Sequence, residues 1–208
     1  MFDMPAISIY QWVGFSFGIL YVLFAAYNKN QCWIYSAISA IAIACEDFIN
    51  LRLYFDGVIQ IFYALIAICG LYVWLSGGNK NTELRISKLN VPKNLSYIVL
   101  VTLVAIPTGY IMDLTSIAAF PYLDGFTSIL AILATCLMVY KFIDTWPYWI
   151  AIDIACVYLY FERGAPLISI LYAIYAILAI VGWKKWHVLF KEQKKSLAHG
   201  VALSLIHI

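Results

Sequence analysis

What most constrains this chain is the recurrence of apolar runs, each about as long as a bilayer is thick. A hydrocarbon core of about 30 Å needs about 20 apolar residues in a helix. Runs of that kind fall at roughly 7–27, 32–50, 54–75, 95–112, 126–142, 146–161 and 165–183. Polar breaks such as Asn28-Lys29-Asn30 and Ser76-Gly77-Gly78 separate them. The pattern predicts an all-α integral membrane protein with seven transmembrane helices. Charged residues make up only 12% of the 208 residues and hydrophobic ones 64%. A soluble domain carries about 25% charged residues, so this chain cannot coat a water-facing surface. Disorder is excluded as well, because it needs low hydrophobicity. Spans two and six carry the weakest signal, since each contains ionisable residues.

The cations set an orientation. With seven spans and a cytoplasmic C-terminus, Lys29, Lys80, Arg85, Lys88, Lys93, Lys141, Lys184, Lys185, Lys191, Lys194 and Lys195 fall on the cytoplasmic side, and Arg52 and Arg163 outside. This asymmetry matches the positive-inside rule and places the N-terminus outside. Residues 1–9 carry Asp3 and no Lys or Arg, unlike the basic start of a signal peptide, so the first run is expected to stay as a span. Cys32, Cys45, Cys69, Cys136 and Cys156 all lie in apolar runs. They read as buried small hydrophobes, not as disulfides or metal ligands.

An internal repeat is legible. Leu53-Tyr54-Phe55-Asp56 returns as Leu159-Tyr160-Phe161-Glu162, and Trp33-Ile34-Tyr35 parallels Trp146-Pro147-Tyr148. Phe62-Tyr63-Ala64-Leu65 with Trp74 matches Leu171-Tyr172-Ala173-Ile174 with Trp183 at one common offset. The expected organisation is a three-helix bundle (7–75), a cytoplasmic loop and linker helix (76–112), a second three-helix bundle (124–183) and a basic cytoplasmic tail (184–208). Both triplets have the same orientation, so the repeat is parallel. The last residues, Ser196–Ile208, read as a disordered or surface-lying end.

The three histidines, His187, His199 and His207, all sit in the tail. No histidine is available within the spans for general base catalysis or metal binding, and no hydrolase, zinc-protease or nucleotide-loop motif occurs. Acids are more telling. Glu46 and Asp47 lie late in span two, Asp153 lies in the middle of span six, and Asp56 and Asp124 open spans three and five near the outer face. A carboxylate at membrane depth costs about 2.5–3.5 kcal/mol even on a lenient insertion scale, so it is expected to face a cavity, a partner or a substrate.

Trp146, Trp149, Asp153 and Tyr160 are spaced three, four and seven apart, which gathers them on one helical face. An aromatic wall beside a carboxylate suits a flat cationic ring. Gln60 and Tyr63, one turn apart in span three, are candidate ligand donors or interhelical hydrogen-bond formers. Pro107-Thr108-Gly109 marks a kink in span four, expected to serve packing. The Gly14…Gly18 spacing permits close helix approach, within the chain or between copies.

These motifs resemble the Pnu family of bacterial vitamin transporters. The family signature WxxWxxxD/N matches Trp146, Trp149 and Asp153, ending at Tyr160. The similarity extends to Leu53-Tyr54-Phe55-Asp56 with Gln60, Tyr63, Gly70 and Trp74, to Asp124 and to the Tyr140-Lys141…Trp146 junction. It covers the chain from about Gln11 to Trp186. The resemblance implies a 3+1+3 arrangement related to the SWEET sugar transporters, and a homotrimer in the bacterial inner membrane. It also implies facilitated diffusion of an unphosphorylated vitamin, trapped afterwards by a cytoplasmic kinase. No cofactor, metal or nucleic-acid partner is implied. Substrate contacts would come from Trp146, Trp149, Asp153 and Tyr160, joined by Gln60, Tyr63, Glu46 and Asp47, with Asp56 and Asp124 in gating or secondary roles. Members that carry nicotinamide riboside tend to have an amide at the Asp153 position, so the carboxylate points to thiamine as cargo. Nicotinamide riboside is the alternative cargo. An intramembrane enzyme is a more distant alternative, lacking a nucleophile and base, and a receptor subunit without a pathway is another.

Overall fold

The structure is a computed structural model that describes residues 8–51, 54–78, 82–115, 120–164 and 166–206. Within these ranges it describes the side chains other than those of residues 51, 54–56, 167 and 197–206. Among the described residues the chain forms seven helices: α1 (Ile9–Ala26), α2 (Cys32–Cys45), α3 (Tyr54–Ser76), α4 (Val91–Leu114), α5 (Pro121–Val139), α6 (Thr145–Glu162) and α7 (Pro166–Ile206). A π-helical stretch, Glu46–Leu51, continues α2. Six helices are long and apolar enough to cross a membrane. The exception is α6, whose Trp, Tyr and Pro residues and Asp153 lower its mean hydropathy.

Burial is arranged as lipid requires. Small residues turn inward: Ala25, Ala40, Ala42, Ala44, Ala64 and Ala67 are buried, whereas Val58, Leu65, Ile68 and Tyr72 form an exposed stripe on α3. Without a hydrophobic force between helices, close backbone approach at small residues provides the packing. Gly14 shows this directly. Its backbone carbonyl accepts from the Ser39 hydroxyl of α2 at 2.7 Å, and a Cβ there would stand 2.7 Å from Ile43. Gly14 therefore serves packing within the chain.

The chain divides into two compact units, Met1–Leu84 and Arg85–Ile208. The first holds α1–α3. Ser8 caps α1 in a box with Gln11. The second unit holds α4–α7 around a core of Val101, Leu130, Ala134, Ile152 and Cys156. Asn90 caps α4 through the Lys93 N–H at 3.0 Å, and α4 stays helical through Pro107. Gly109 and Gly125 bring α4 against α5: a Cβ on Gly125 would stand 3.0 Å from the Gly109 nitrogen, the packing role expected of this stretch. Before α4, Ser87 pairs with the α5–α6 turn, its N–H donating to the Lys141 carbonyl (3.0 Å) and its carbonyl accepting from the Ile143 N–H (2.9 Å). Asp144 accepts from the Leu89 N–H and from Asn94 Nδ2, both at 2.8 Å, and the Tyr148 hydroxyl donates to Asn94 Oδ1 at 2.9 Å.

The α1–α2 and α5–α6 turns are built alike. Asn28 (φ 54°) and Lys141 (φ 52°), 113 residues apart, are the non-glycine residues with positive φ among those described. Each follows a helix end and sits in the same ladder: Asn28 N–H to the Ala25 carbonyl and Lys141 N–H to that of Met138, then Lys29 N–H to Phe24 and Phe142 N–H to Leu137. Asn tolerates the left-handed region better than most L-residues, and a Cβ-branched or alanine replacement costs about 1 kcal/mol there. Asn28→Gly is expected to leave stability unchanged, and Asn28→Ala to lower it by about 1 kcal/mol, read by thermal unfolding in detergent.

Several expectations need correction. The expected spans 95–112 and 126–142 differ from the helices at their ends: α4 runs from Val91 to Leu114 and α5 begins at Pro121, because proline is preorganised for a first helical position. The tail is helical rather than disordered over the described residues, since α7 continues to Ile206. Lys141 in the α5–α6 turn is buried at 1% exposure, which leaves its expected cytoplasmic side unaffected. Cys69 and Cys136 are exposed, whereas Cys32 and Cys156 are buried.

Candidate functional site

The stripe of Trp146, Asp153 and Tyr160 on α6 faces α7. Trp146 is 1% exposed. It rests on Gly182, where a Cβ would stand 2.5 Å from its ring, and meets Trp186 edge-on with centroids 5.4 Å apart. Its indole N–H has no hydrogen-bond partner among the described residues. One turn of the repeat earlier, Trp33 has the same surroundings. It is 2% exposed, lies on Gly70 at the same 2.5 Å, and meets Trp74 edge-on at 5.5 Å. The counterpart of Trp74 is thus Trp186, not Trp183. A glycine socket that a Cβ would fill explains both positions as helix-packing features.

Deeper in α6, Asp153 is 3% exposed. Its carboxylate makes no hydrogen bond or ion pair among the described residues, and Cys156, Tyr172 and Tyr175 lie within electrostatic reach. The Tyr160 and Tyr172 rings stack with centroids 5.2 Å apart and 10° between planes, and Tyr175 meets Tyr172 edge-on at 6.0 Å. Trp149, partly buried, packs on the core between α4, α5 and α6. An unpartnered carboxylate near stacked tyrosines combines two features that suit a flat cation: the rings offer π faces and the acid offers counter-charge. Tyr172 and Tyr175 were not anticipated as site residues. Their three-residue spacing on α7, opposite the acid-bearing helix, was the available signal.

The other candidates are more dispersed. Glu46, buried at 5% exposure, accepts hydrogen bonds from the Ser8 hydroxyl and from Asn50 Nδ2 (2.6 Å). It ties the start of α1 to the π-helical turn. Asp47 is buried at 6%. Gln60 and Tyr63 are half-buried on α3. Asp124 forms an ion pair with Arg163 at 2.5 Å, a partly exposed pair of the kind that contributes about 0–1 kcal/mol. The side chain of Asp56 lies outside the described residues.

Comparison with known proteins decides the family. Residues 8–188 match the model of the family described as nicotinamide mononucleotide transporter. The chain belongs to this family. It is the Pnu family whose motifs the sequence carries, and the chain is a multi-pass membrane transporter rather than an enzyme. The nicotinamide riboside transporter PnuC of Escherichia coli K12 is 26% identical over 213 residues, covering 90% of this chain and 89% of the relative. That of Neisseria mucosa is 26% identical over 188 residues, covering 84% and 70%. A crystal structure of the vitamin B3 transporter PnuC superimposes with a TM-score of 0.67 at 25% identity, covering 86% of this chain and 81% of the other.

Proposed function

We propose that this Pnu-family protein takes up nicotinamide riboside across a bacterial inner membrane by facilitated diffusion, with phosphorylation in the cytoplasm trapping the product. The observation that carries the reading is the likeness to nicotinamide riboside transporters over nine-tenths of the chain. The site supports it physically. Nicotinamide riboside contains a planar pyridinium, and Asp153 with Tyr160, Tyr172 and Trp149 supplies an acid beside aromatic surface. The mononucleotide in the family's description fits less well, because the predicted spans carry no Lys or Arg below their ends to receive a phosphate. In this reading Asp153, Trp149 and Tyr160 hold the ring and Trp146 fixes α6 on α7, while Gln60 and Tyr63 of α3 are candidate polar contacts in their own right. The duplicated turn and the duplicated Trp–Gly–Trp sockets support a parallel 3+1+3 repeat of the SWEET kind. The lysine asymmetry supports an outer N-terminus, and the family resemblance supports a homotrimer.

Thiamine is the second reading, and one feature favours it: a carboxylate at Asp153, suited to an aminopyrimidine. Counterflow in proteoliposomes separates the two. Labelled nicotinamide riboside is expected to exchange, and excess thiamine to leave that exchange unchanged. Exchange of labelled thiamine without exchange of the riboside would overturn the assignment.

A further inference from the structure

At the end of α1 lies an open groove of about 290 Å³ lined by Leu23, Phe24, Tyr27 and Lys29. Its residues straddle a boundary. The 18 residues of α1 make a helix of about 27 Å, close to the thickness of a hydrocarbon core. Leu23 and Phe24 therefore lie in its last apolar turn, Tyr27 is the C-cap, and Lys29 stands just beyond at headgroup level. The groove is open to its surroundings, and its apolar wall gains van der Waals contacts from whatever lies against it. At the end of a candidate membrane span, an acyl chain is the chemistry that suits such a wall. Lys29 is exposed and forms no ion pair among the described residues. Glu83 is joined to the same turn through Asn30 Nδ2 at 3.3 Å rather than to the lysine.

We infer that this groove binds an anionic phospholipid of the adjoining leaflet, an acyl chain lying along Leu23 and Phe24 and the headgroup phosphate meeting Lys29. The chain gains little by leaving one apolar medium for another, so selectivity comes from charge. A lysine near an anionic lipid surface contributes about 1 kcal/mol, which is about a fivefold preference. The site belongs to the first unit and does not depend on the identity of the cargo.

The test is native mass spectrometry of the full-length protein in detergent, titrated with phosphatidylglycerol and with phosphatidylcholine. The wild type is expected to retain phosphatidylglycerol about fivefold more strongly. Lys29→Gln is expected to remove that preference, while Lys191→Gln, far along α7, keeps it. Leu23→Trp, which fills the groove, is expected to lower retention of both lipids. A preference unchanged in Lys29→Gln would overturn the site, as would undiminished retention in a folded Leu23→Trp protein. If Leu23→Trp does not fold, the lysine pair still decides. A cysteine at position 23 that cross-links to a second copy of the chain would overturn it too, by putting protein where lipid is proposed.

Discussion

Asp153→Leu is expected to raise the thermal stability of the substrate-free protein and, at the same time, to weaken nicotinamide riboside binding at least tenfold. The two effects share one cause. The carboxylate is 3% exposed and has no hydrogen-bond or ion-pair partner among the described residues. Holding such a group among apolar helices costs about 2.5–3.5 kcal/mol, and leucine removes that cost. Part of the gain is offset by fitting a branched side chain against Tyr172 and Tyr175, so a net rise of about 1–3 kcal/mol is expected. Binding moves the other way. A charge-assisted contact to a cationic ring is worth about 1.5–3 kcal/mol, or roughly 10- to 150-fold in affinity. Calorimetry with purified protein reads both quantities. Asp153→Asn then isolates the charge: an amide keeps hydrogen-bonding capacity but supplies no counter-charge, so affinity for the riboside should still fall, by less than in Asp153→Leu. A protein destabilised by Asp153→Leu, with affinity unchanged, would show that the carboxylate is a structural element with an undetected partner.

The second large effect is expected at the two glycine sockets. Gly182→Ala and Gly70→Ala should each lower unfolding stability by about 1–3 kcal/mol, even though alanine is the better helix former by about 1 kcal/mol. The added methyl would stand 2.5 Å from the ring of Trp146 or Trp33, and each ring is also held edge-on by a second tryptophan. An indole pinned on both sides cannot yield, so α6 must move off α7, or α2 off α3. Trp146→Phe shrinks the clashing ring. Combined with Gly182→Ala it is expected to recover part of the loss, a coupling that a double-mutant cycle measures directly. Equal losses at the two glycines would reflect the duplicated architecture. A loss at Gly182 of vitamin affinity alone, with stability intact, would instead make Trp146 a substrate contact.

The sequence was most informative where one physical rule dominated. Span length and polar breaks located α1, α2 and α3 to within a few residues, because only helices satisfy the backbone in lipid. Helix ends outside the apolar runs were less legible. Nothing in hydropathy marks Pro121 as a helix start or requires α7 to continue past Trp183, since water-side helices obey capping and propensity rather than apolar length. The spacing of Trp146, Asp153 and Tyr160 correctly gathered them on one face but could not name what lies opposite. That face meets Gly182, Trp186 and Tyr172 of α7, which gives Trp146 a packing role and adds two tyrosines to the acid's surroundings. The offset of the repeat was misjudged at its last tryptophan for a similar reason: Trp183 and Trp186 are one turn apart on α7, and only their contacts tell them apart. As for cargo, a lone carboxylate is compatible with either planar cation, so relatedness to riboside carriers weighs more than the acid does.

The 41-residue length of α7 has a mechanical corollary. At about 1.5 Å per residue it reaches about 61 Å, roughly twice what a bilayer core requires. Its distal half is therefore a helical extension, beyond bilayer length, of the helix that faces Asp153. A tilt of about 10° within the bilayer would sweep its far end through about 5 Å over the last 30 Å. A spin label or fluorophore near residue 195 would report motion around the vitamin site from a distance, without touching the site.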